Sequence, residues 1–129
     1  MQWYETTQGQ QRLLWENNFL QEDFPQIEVE QCEDGYIRAS GVLGPSNLSP
    51  RTMFVVGEFP SNYPSTHPRV FAPHEQFPSG TPHIYPCTEC ELCLDHGDFT
   101  PDDTMATVFG WAIQWIAVYD SFRNTGQRW

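Results

Sequence analysis

Residues 83 to 96 hold the most reactive side chains of this sequence. The segment reads His-Ile-Tyr-Pro-Cys-Thr-Glu-Cys-Glu-Leu-Cys-Leu-Asp-His and contains three of the four cysteines and two of the four histidines. Prolines and glycines on both sides predict an irregular, loop-rich segment, where reactive side chains often lie. Two chemistries fit these residue types: a metal site, or a nucleophilic cysteine held in an ordered loop.

A metal site would use the spacing Cys87-x-x-Cys90-x-x-Cys93-x-x-His96, which offers four ligands of the types that zinc binds. Structural zinc sites normally take two separated pairs of ligands, so that two chain segments surround the ion. The unbroken three-residue spacing therefore fits zinc only if the loop curls tightly. A smaller set would join Cys87 and Cys90 to Cys32 or a histidine. Alternatively, Cys87 and Cys90 protect or resolve an oxidised Cys93, or are plain loop residues.

The elements that must position this segment predict an α+β fold. Residues 8–22 carry apolar side chains at mixed three-to-four spacing, including Leu14 and Trp15, as an amphipathic helix does. Short alternating segments and the hairpin signal Asp34-Gly35 then predict an antiparallel meander. The predicted strands are residues 26–32, 36–43, 52–58 and a short fourth strand over 69–72.

The clearest predicted helix follows the cysteine segment. Its apolar stripe consists of Met105, Val108, Ala112, Trp115, Ile116 and Tyr119. Asp102, Asp103 and Thr104 are predicted to cap its start, and Gly126 its end. We therefore expect one α+β domain over residues 1–129, with an N-terminal helix, a four-stranded antiparallel meander, an active-site loop and a C-terminal helix.

Composition narrows the classes of partner. A formal net charge of -11 disfavours binding to nucleic acid and favours a basic protein surface, although acidity also serves solubility. We see no apolar run of membrane-spanning length and no leader, so we expect a cytoplasmic protein. All six basic residues are arginine, and there is no lysine. A lysine-free chain suits a protein that handles an acyl group, because lysine amines would intercept it.

The order of motifs resembles the ubiquitin-conjugating enzyme family over most of the chain. Phe59-Pro60-x-x-Tyr63-Pro64-x-x-x-Pro68-x-Val70 resembles that family's FP-x-x-YP-x-x-x-P-x-V segment. His83 precedes Cys93 by ten residues, the separation between the family's His-Pro-Asn histidine and its acceptor cysteine. Residues 91–95 resemble the family's G-x-I-C-L-D, and Phe99-Thr100-Pro101 stands where the family has Trp-Ser-Pro.

This resemblance implies roles for four residues. Cys93 is the implied nucleophile, and His83, Tyr85 and Asp95 are implied to support the active-site loop. The family has asparagine at the position of Tyr85, where it supports the loop and the oxyanion. Short forms that lack this asparagine resemble bacterial relatives encoded in antiviral defence operons, which handle a cGAS-like nucleotidyltransferase (in CBASS systems) or a bacterial ubiquitin-like protein.

The implied function is thioester chemistry on Cys93. The cysteine would accept the C-terminal acyl group of a ubiquitin-like protein or a cGAS-like nucleotidyltransferase from an activating-enzyme-like protein, and pass it to an amine or thiol. No cofactor, metal, nucleic acid or membrane is implied. Two other hypotheses stay open: a non-catalytic module that binds a ubiquitin-like protein, and a small zinc-binding adaptor.

Overall fold

Two helices and one four-stranded antiparallel sheet make up the fold. The computed structural model describes residues 1–85, 90–94 and 96–129. In chain order, the elements are α1 (Thr7–Asp23), β1 (Glu28–Gln31), β2 (Ile37–Leu43), β3 (Met53–Glu58), β4 (Arg69–Phe71) and α2 (Met105–Thr125), with short 3-10 turns at Trp3–Glu5 and His96–Asp98. The predicted α+β class is confirmed, and each predicted strand is present in a shortened form.

The sheet is a simple meander in the order β1-β2-β3-β4. The predicted hairpin turn is present, with Gly35 at a φ of 88° that favours glycine. Side chains along β3 alternate between buried and partly buried positions, and those at the start of β2 do the same, so one face forms the core. At Gly57 a side chain would meet Met105 and Phe109 within 3.0 Å, so this glycine lets α2 approach β3 closely.

Helix α1 packs only part of its predicted apolar face on the core, where Leu13 and Phe19 contact it in partly buried positions. Leu20 is buried, but Leu14 is 65% exposed and Trp15 38% exposed. Gly9 and Glu16 are buried in their place. The reason is that Gly9 packs directly on the backbone of the turn at Trp3–Glu5, which fixes the rotation of the helix. The predicted helix is present, but Leu14 and Trp15 of its expected apolar face are exposed.

Helix α2 agrees with its prediction. All six residues of its apolar stripe are buried. Thr104 is the N-cap and forms a capping box with Thr107, while Gly126 ends the helix in the left-handed region. Asp103 does not cap the helix; it accepts a hydrogen bond from the Thr100 amide at 2.9 Å. No helix in the described part of the chain is long and apolar enough to cross a membrane.

Candidate active site

Residues 90–94 form a short extended segment that is held along both edges. On one edge the Leu92 amide donates to the Val70 carbonyl oxygen at 2.9 Å, which attaches the segment to β4. On the other edge the Cys93 amide donates to the His83 carbonyl oxygen at 2.9 Å, and Ile84 pairs with Leu92 as an antiparallel bridge. The segment therefore continues the meander, and its backbone is ordered by the sheet.

Cys93 lies between two buried anchors. Leu92 and Leu94 are both buried in the core, while Cys93 is only partly buried. Its side chain borders a groove of about 220 Å³, whose opposite wall is formed by α2. The thiol is thus accessible to a partner while the backbone that carries it is fixed.

Tyr85 contacts the thiol directly. A side-chain hydrogen bond with Cys93 raises the pKa of Tyr85, and partial burial and the charges of Cys93 and Glu91 act in the same direction. The Tyr85 side chain is 39% exposed. The phenol therefore stays protonated at neutral pH and can donate a hydrogen bond to the sulfur. The structure brings together these two residues that the resemblance singled out.

His83 shapes the loop through its backbone. It has a φ of 58°, and its carbonyl oxygen accepts hydrogen bonds from the Cys93 amide and, at 3.1 Å, from Nε1 of Trp115. Its Nε2 lies 2.8 Å from the carbonyl oxygen of Trp129. Because a carbonyl only accepts, Nε2 carries a hydrogen. The imidazole therefore donates through Nε2 to the Trp129 carbonyl oxygen.

An ion pair with one buried partner lies beside the site. The Glu91 carboxylate is buried and lies 2.7 Å from the guanidinium of Arg69 on β4. Glu91 occupies the unspecified second position of the resembled motif G-x-I-C-L-D, so the motif gave no indication of this pair. The pair joins the cysteine segment to the edge of the sheet through side chains as well as backbone.

The structure tests the metal hypothesis for the ligands that it describes. Cys87 and Asp95 lie outside the described residues. Within residues 1–85, 90–94 and 96–129, no group of three histidine, cysteine or acidic side chains is placed to hold a metal ion. Cys32 follows β1 at the opposite edge of the sheet from Cys90, roughly 19 Å away at the usual strand spacing. The two cysteines therefore cannot share a zinc ion, and a ligand set that includes Cys32 is wrong.

A buried polar cluster around Glu16 holds the part of the chain that follows the cysteine segment. Glu16 on α1 is fully buried; its carboxylate accepts from the Met105 amide at 2.8 Å, from Nε of Arg12 at 3.0 Å and from the Tyr63 hydroxyl. Burial raises the pKa of Glu16, and these hydrogen bonds partly oppose that rise. Arg12 also donates to the carbonyl oxygen of Pro101. The cluster therefore ties α1 to the start of α2.

The sequence pattern did not indicate this cluster. Glu16 falls among the polar residues of a predicted amphipathic helix, where a carboxylate is normally solvated. The one available signal was the i,i+4 spacing of Arg12 and Glu16, which predicts an ion pair but not its burial. Tyr63 belongs to the proline motif. Its hydroxyl donates to the Glu16 carboxylate, which gives the tyrosine of that motif a structural role in this protein.

Comparison with known proteins finds one matching family and solved structures of similar fold. The profile of a family described as "Type II CBASS E2 protein" matches residues 16–129. The yeast Vps23 UEV domain, solved in complex with a Vps27 PSDP peptide, superposes with a TM-score of 0.57 at 19% identity, covering 79% of this chain and 77% of that one. The Vps23 UEV in a complex with ubiquitin gives a TM-score of 0.59 at 17% identity, covering 85% and 83%. No curated protein sequence matches significantly.

The structural likeness shows a shared fold. The profile match covers the strands, the described part of the cysteine segment and α2 as well as the end of α1, so it spans the whole candidate site. The resemblance to ubiquitin-conjugating enzymes of bacterial antiviral defence is confirmed. The chain belongs to the family of Type II CBASS E2 proteins.

Proposed function

We propose that this protein carries an acyl group as a thioester on Cys93 and transfers it within a CBASS antiphage system. Membership of the family supports a ubiquitin-conjugating-like role in CBASS. The finer proposal concerns the chemistry. The Cys93 sulfur attacks the thioester of an activating-enzyme-like protein, the new C–S bond forms, and the activating cysteine leaves as a thiol. The acyl group then passes from Cys93 to an amine or to another thiol.

The observation that carries this proposal is the setting of the Cys93 thiol. It is partly exposed at the edge of a groove, its backbone is held on both sides, and the Tyr85 hydroxyl bonds to it. Exchange between thiols and thioesters is nearly balanced in energy, so such a site depends on access and orientation more than on strong activation. The partly exposed thiol supplies access, and the fixed backbone and the contact with Tyr85 supply orientation.

Tyr85 is proposed to take the place of the family's asparagine. A protonated phenol can donate to the Cys93 sulfur when it leaves as a thiolate, and to the oxygen that gains charge when an amine attacks the thioester. Preorganised donors at such positions lower the barrier, because they need no reorganisation during the reaction. His83 is proposed to build the loop, and Asp95 to support it from the position after Leu94.

The absence of lysine supports an acyl carrier. A protein with a thioester near its own lysines would modify itself, since a primary amine is a competing nucleophile. Every basic side chain in this sequence is arginine, and the guanidinium stays protonated and is a poor nucleophile. A protein that only binds a partner would gain nothing from this restriction.

The proposed partners follow from the same scheme. They are an activating-enzyme-like protein and the donated protein, either a ubiquitin-like protein or a cGAS-like nucleotidyltransferase. The charge of -11 favours basic surfaces on these partners and opposes nucleic acid. We propose that residues 1–129 act as one domain in the cytoplasm, without a resident metal or cofactor.

One observation favours a second candidate function. The similar Vps23 UEV has been solved in a complex with ubiquitin, so a domain of this fold binds a ubiquitin-like surface. On that basis the present chain would be a non-catalytic binding module, for which the Cys93 thiol is dispensable. The enzymatic function therefore requires the Cys93 sulfur, whereas the binding function does not.

Defence against phage separates the two candidates. Bacteria that carry the complete operon would be challenged with phage after Cys93→Ala or Cys32→Ala substitution. Both cysteines are partly buried thiols, and Cys32 lies at the far edge of the sheet. We expect plaque numbers to rise to those of the operon deletion with Cys93→Ala and to stay at the wild-type level with Cys32→Ala. Full protection by Cys93→Ala would overturn the enzymatic proposal and leave the binding module.

A further inference from the structure

The groove beside Cys93 has walls made mostly of apolar side chains from α2 and the C-terminal segment. They include Trp111, Trp115, Val118 and Trp129, with the polar Gln114, while Cys93, Leu94 and His83 line the facing side. Among the residues that the structure describes, no aspartate, glutamate, arginine or lysine lines the groove. A substrate that occupies this groove therefore gains mainly from apolar contact with the α2 wall.

We propose that the groove binds an apolar side chain in the last few residues of the protein that is donated to Cys93. The inference rests on the proposed function of Cys93 and specifies its substrate. When the acyl group is attached to the sulfur, each preceding residue lies at most about 3.6 Å further along the chain. The penultimate residue is thus tethered at the mouth of the groove.

The size of the groove fits one side chain. Its volume of about 220 Å³ exceeds the roughly 150 Å³ of an apolar cavity that holds a benzene ring. It is smaller than the roughly 300–1,000 Å³ of pockets that hold whole small-molecule ligands. An aromatic or branched aliphatic side chain matches this volume, and the Gln114 amide is available to hydrogen-bond the backbone of the same peptide.

The walls are held in place before any ligand arrives. The Trp115 ring stacks on Tyr119 at 5.2 Å and meets the Trp129 ring edge-on at 5.6 Å. Its Nε1 donates to the His83 carbonyl oxygen, the same oxygen that accepts from the Cys93 amide. Since the groove and the thiol share this support, a side chain in the groove would hold the acyl carbon at a fixed position relative to the sulfur.

The donor suits this groove better than the acceptor does. An acceptor amine arrives as an ammonium ion, and its recognition calls for carboxylates, which are absent from the described residues that line the groove. An apolar residue of the donor needs no charged partner and gains from leaving water. The groove therefore selects the protein that is carried.

Peptide thioesters test this inference on the purified protein. Four tetrapeptides that end in glycine would carry phenylalanine, leucine, serine or aspartate before that glycine, each as a thioester of a small thiol. Attack by Cys93 forms the peptide–Cys93 thioester, breaks the C–S bond to the small thiol, and releases that thiol with the proton that Cys93 loses. Intact-mass spectrometry measures the rate, peptide digestion locates the modified cysteine, and Cys93→Ala corrects for the other thiols.

We expect the phenylalanine and leucine peptides to load Cys93 about tenfold faster than the serine and aspartate peptides. Val118→Asp should abolish this preference, because Val118 is 38% exposed within the groove. Val42→Asp is the matched control; Val42 is 44% exposed and lies on β2, outside the groove. Its preference should equal that of the wild type.

Each failure has a distinct meaning. Equal loading by all four peptides, or a preference that survives Val118→Asp or disappears with Val42→Asp, overturns the groove inference and leaves Cys93 as the acceptor. If no peptide loads Cys93 while iodoacetamide alkylates it normally, the proposed function itself fails, and the groove inference fails with it.

Discussion

The Cys93 amide and the His83 carbonyl oxygen are joined by a hydrogen bond of 2.9 Å. This bond gives the ten-residue separation of the two residues a physical meaning. The next residue, Ile84, pairs with Leu92 as an antiparallel bridge, so the segments that carry His83 and Cys93 lie side by side. The oxygen also accepts from Trp115. The histidine to which the resemblance gives a loop-supporting role thus contributes its backbone to the position of the thiol.

Removal of the Tyr85 hydroxyl should slow acyl transfer. Tyr85→Phe keeps the ring and deletes the donor to Cys93, so we expect about a tenfold fall in the rate of thioester aminolysis. Single-turnover discharge of a preformed Cys93 thioester to a small amine measures this rate. Tyr36→Phe is the control, because its hydroxyl lies near Ser61 on another part of the surface. Equal rates for wild type and Tyr85→Phe would show that the hydroxyl takes no part.

Deletion of the buried Glu16 carboxylate should destabilise the fold. Glu16→Ala leaves Arg12 without its ion-pair partner and the Met105 amide without an acceptor, so we expect a loss of about 3 kcal/mol or more in the free energy of unfolding. Urea denaturation measures it. Glu22→Ala on the exposed side of the same helix should change stability by less than about 0.5 kcal/mol. Similar losses for both variants would contradict the structural role of Glu16.

The same carboxylate predicts a pH dependence with a definite sign. Burial is the main reason that the pKa of folded Glu16 lies above its ordinary value of 4.5. The folded state therefore binds the proton more tightly than the unfolded state, and this stabilisation is lost as pH rises from 4.5 through the folded pKa. Wild-type stability minus that of Glu16→Gln should be largest near pH 4 and fall toward neutral pH. A difference that grows with pH would refute the burial of this group.

Two helical glycines should respond in opposite directions to alanine. At Gly9 a Cβ would lie 1.7 Å from the Trp3 carbonyl oxygen, and we expect Gly9→Ala to cost about 1–3 kcal/mol or more. At Gly110 on α2 a Cβ would meet nothing within 4 Å, so Gly110→Ala should stabilise the protein by about 0.5–1 kcal/mol. Thermal unfolding compares the two. A stable Gly9→Ala variant would contradict the close packing of α1 on the turn before it.

Much of the fold could be predicted from local patterns. The alternating segments, the Asp34-Gly35 turn and the apolar stripe of α2 each specify an element from neighbouring residues alone, and the structure contains them. The rotation of α1 could not be predicted in this way. It depends on how closely the chain approaches Gly9 and on the burial of Glu16, which are tertiary effects that helical periodicity does not encode.

For the candidate site, too, local patterns predicted some features and missed those that depend on tertiary contacts. The spacing of His83 and Cys93 and the leucines around the cysteine identified the segment, because backbone pairing fixes a register that spacing reveals. The contact of Tyr85 with the thiol and the groove in front of it depend on side chains from three separate segments. Their chemistry therefore emerged only from the folded arrangement, and the roles of Cys93, His83, Tyr85 and Asp95 stay predictions.

The most direct measurement is a trap of the acyl group on residue 93. Cys93→Ser replaces sulfur by oxygen, so that a thioester becomes an oxyester that resists thiol reductants. Expressed with the neighbouring genes of its operon, the tagged variant should purify with a second protein attached through the C-terminal acyl group of that protein, resistant to dithiothreitol and located by mass spectrometry at position 93. The wild-type adduct should be released by dithiothreitol. A Cys93→Ser protein that carries no adduct, or one attached elsewhere, would contradict the account.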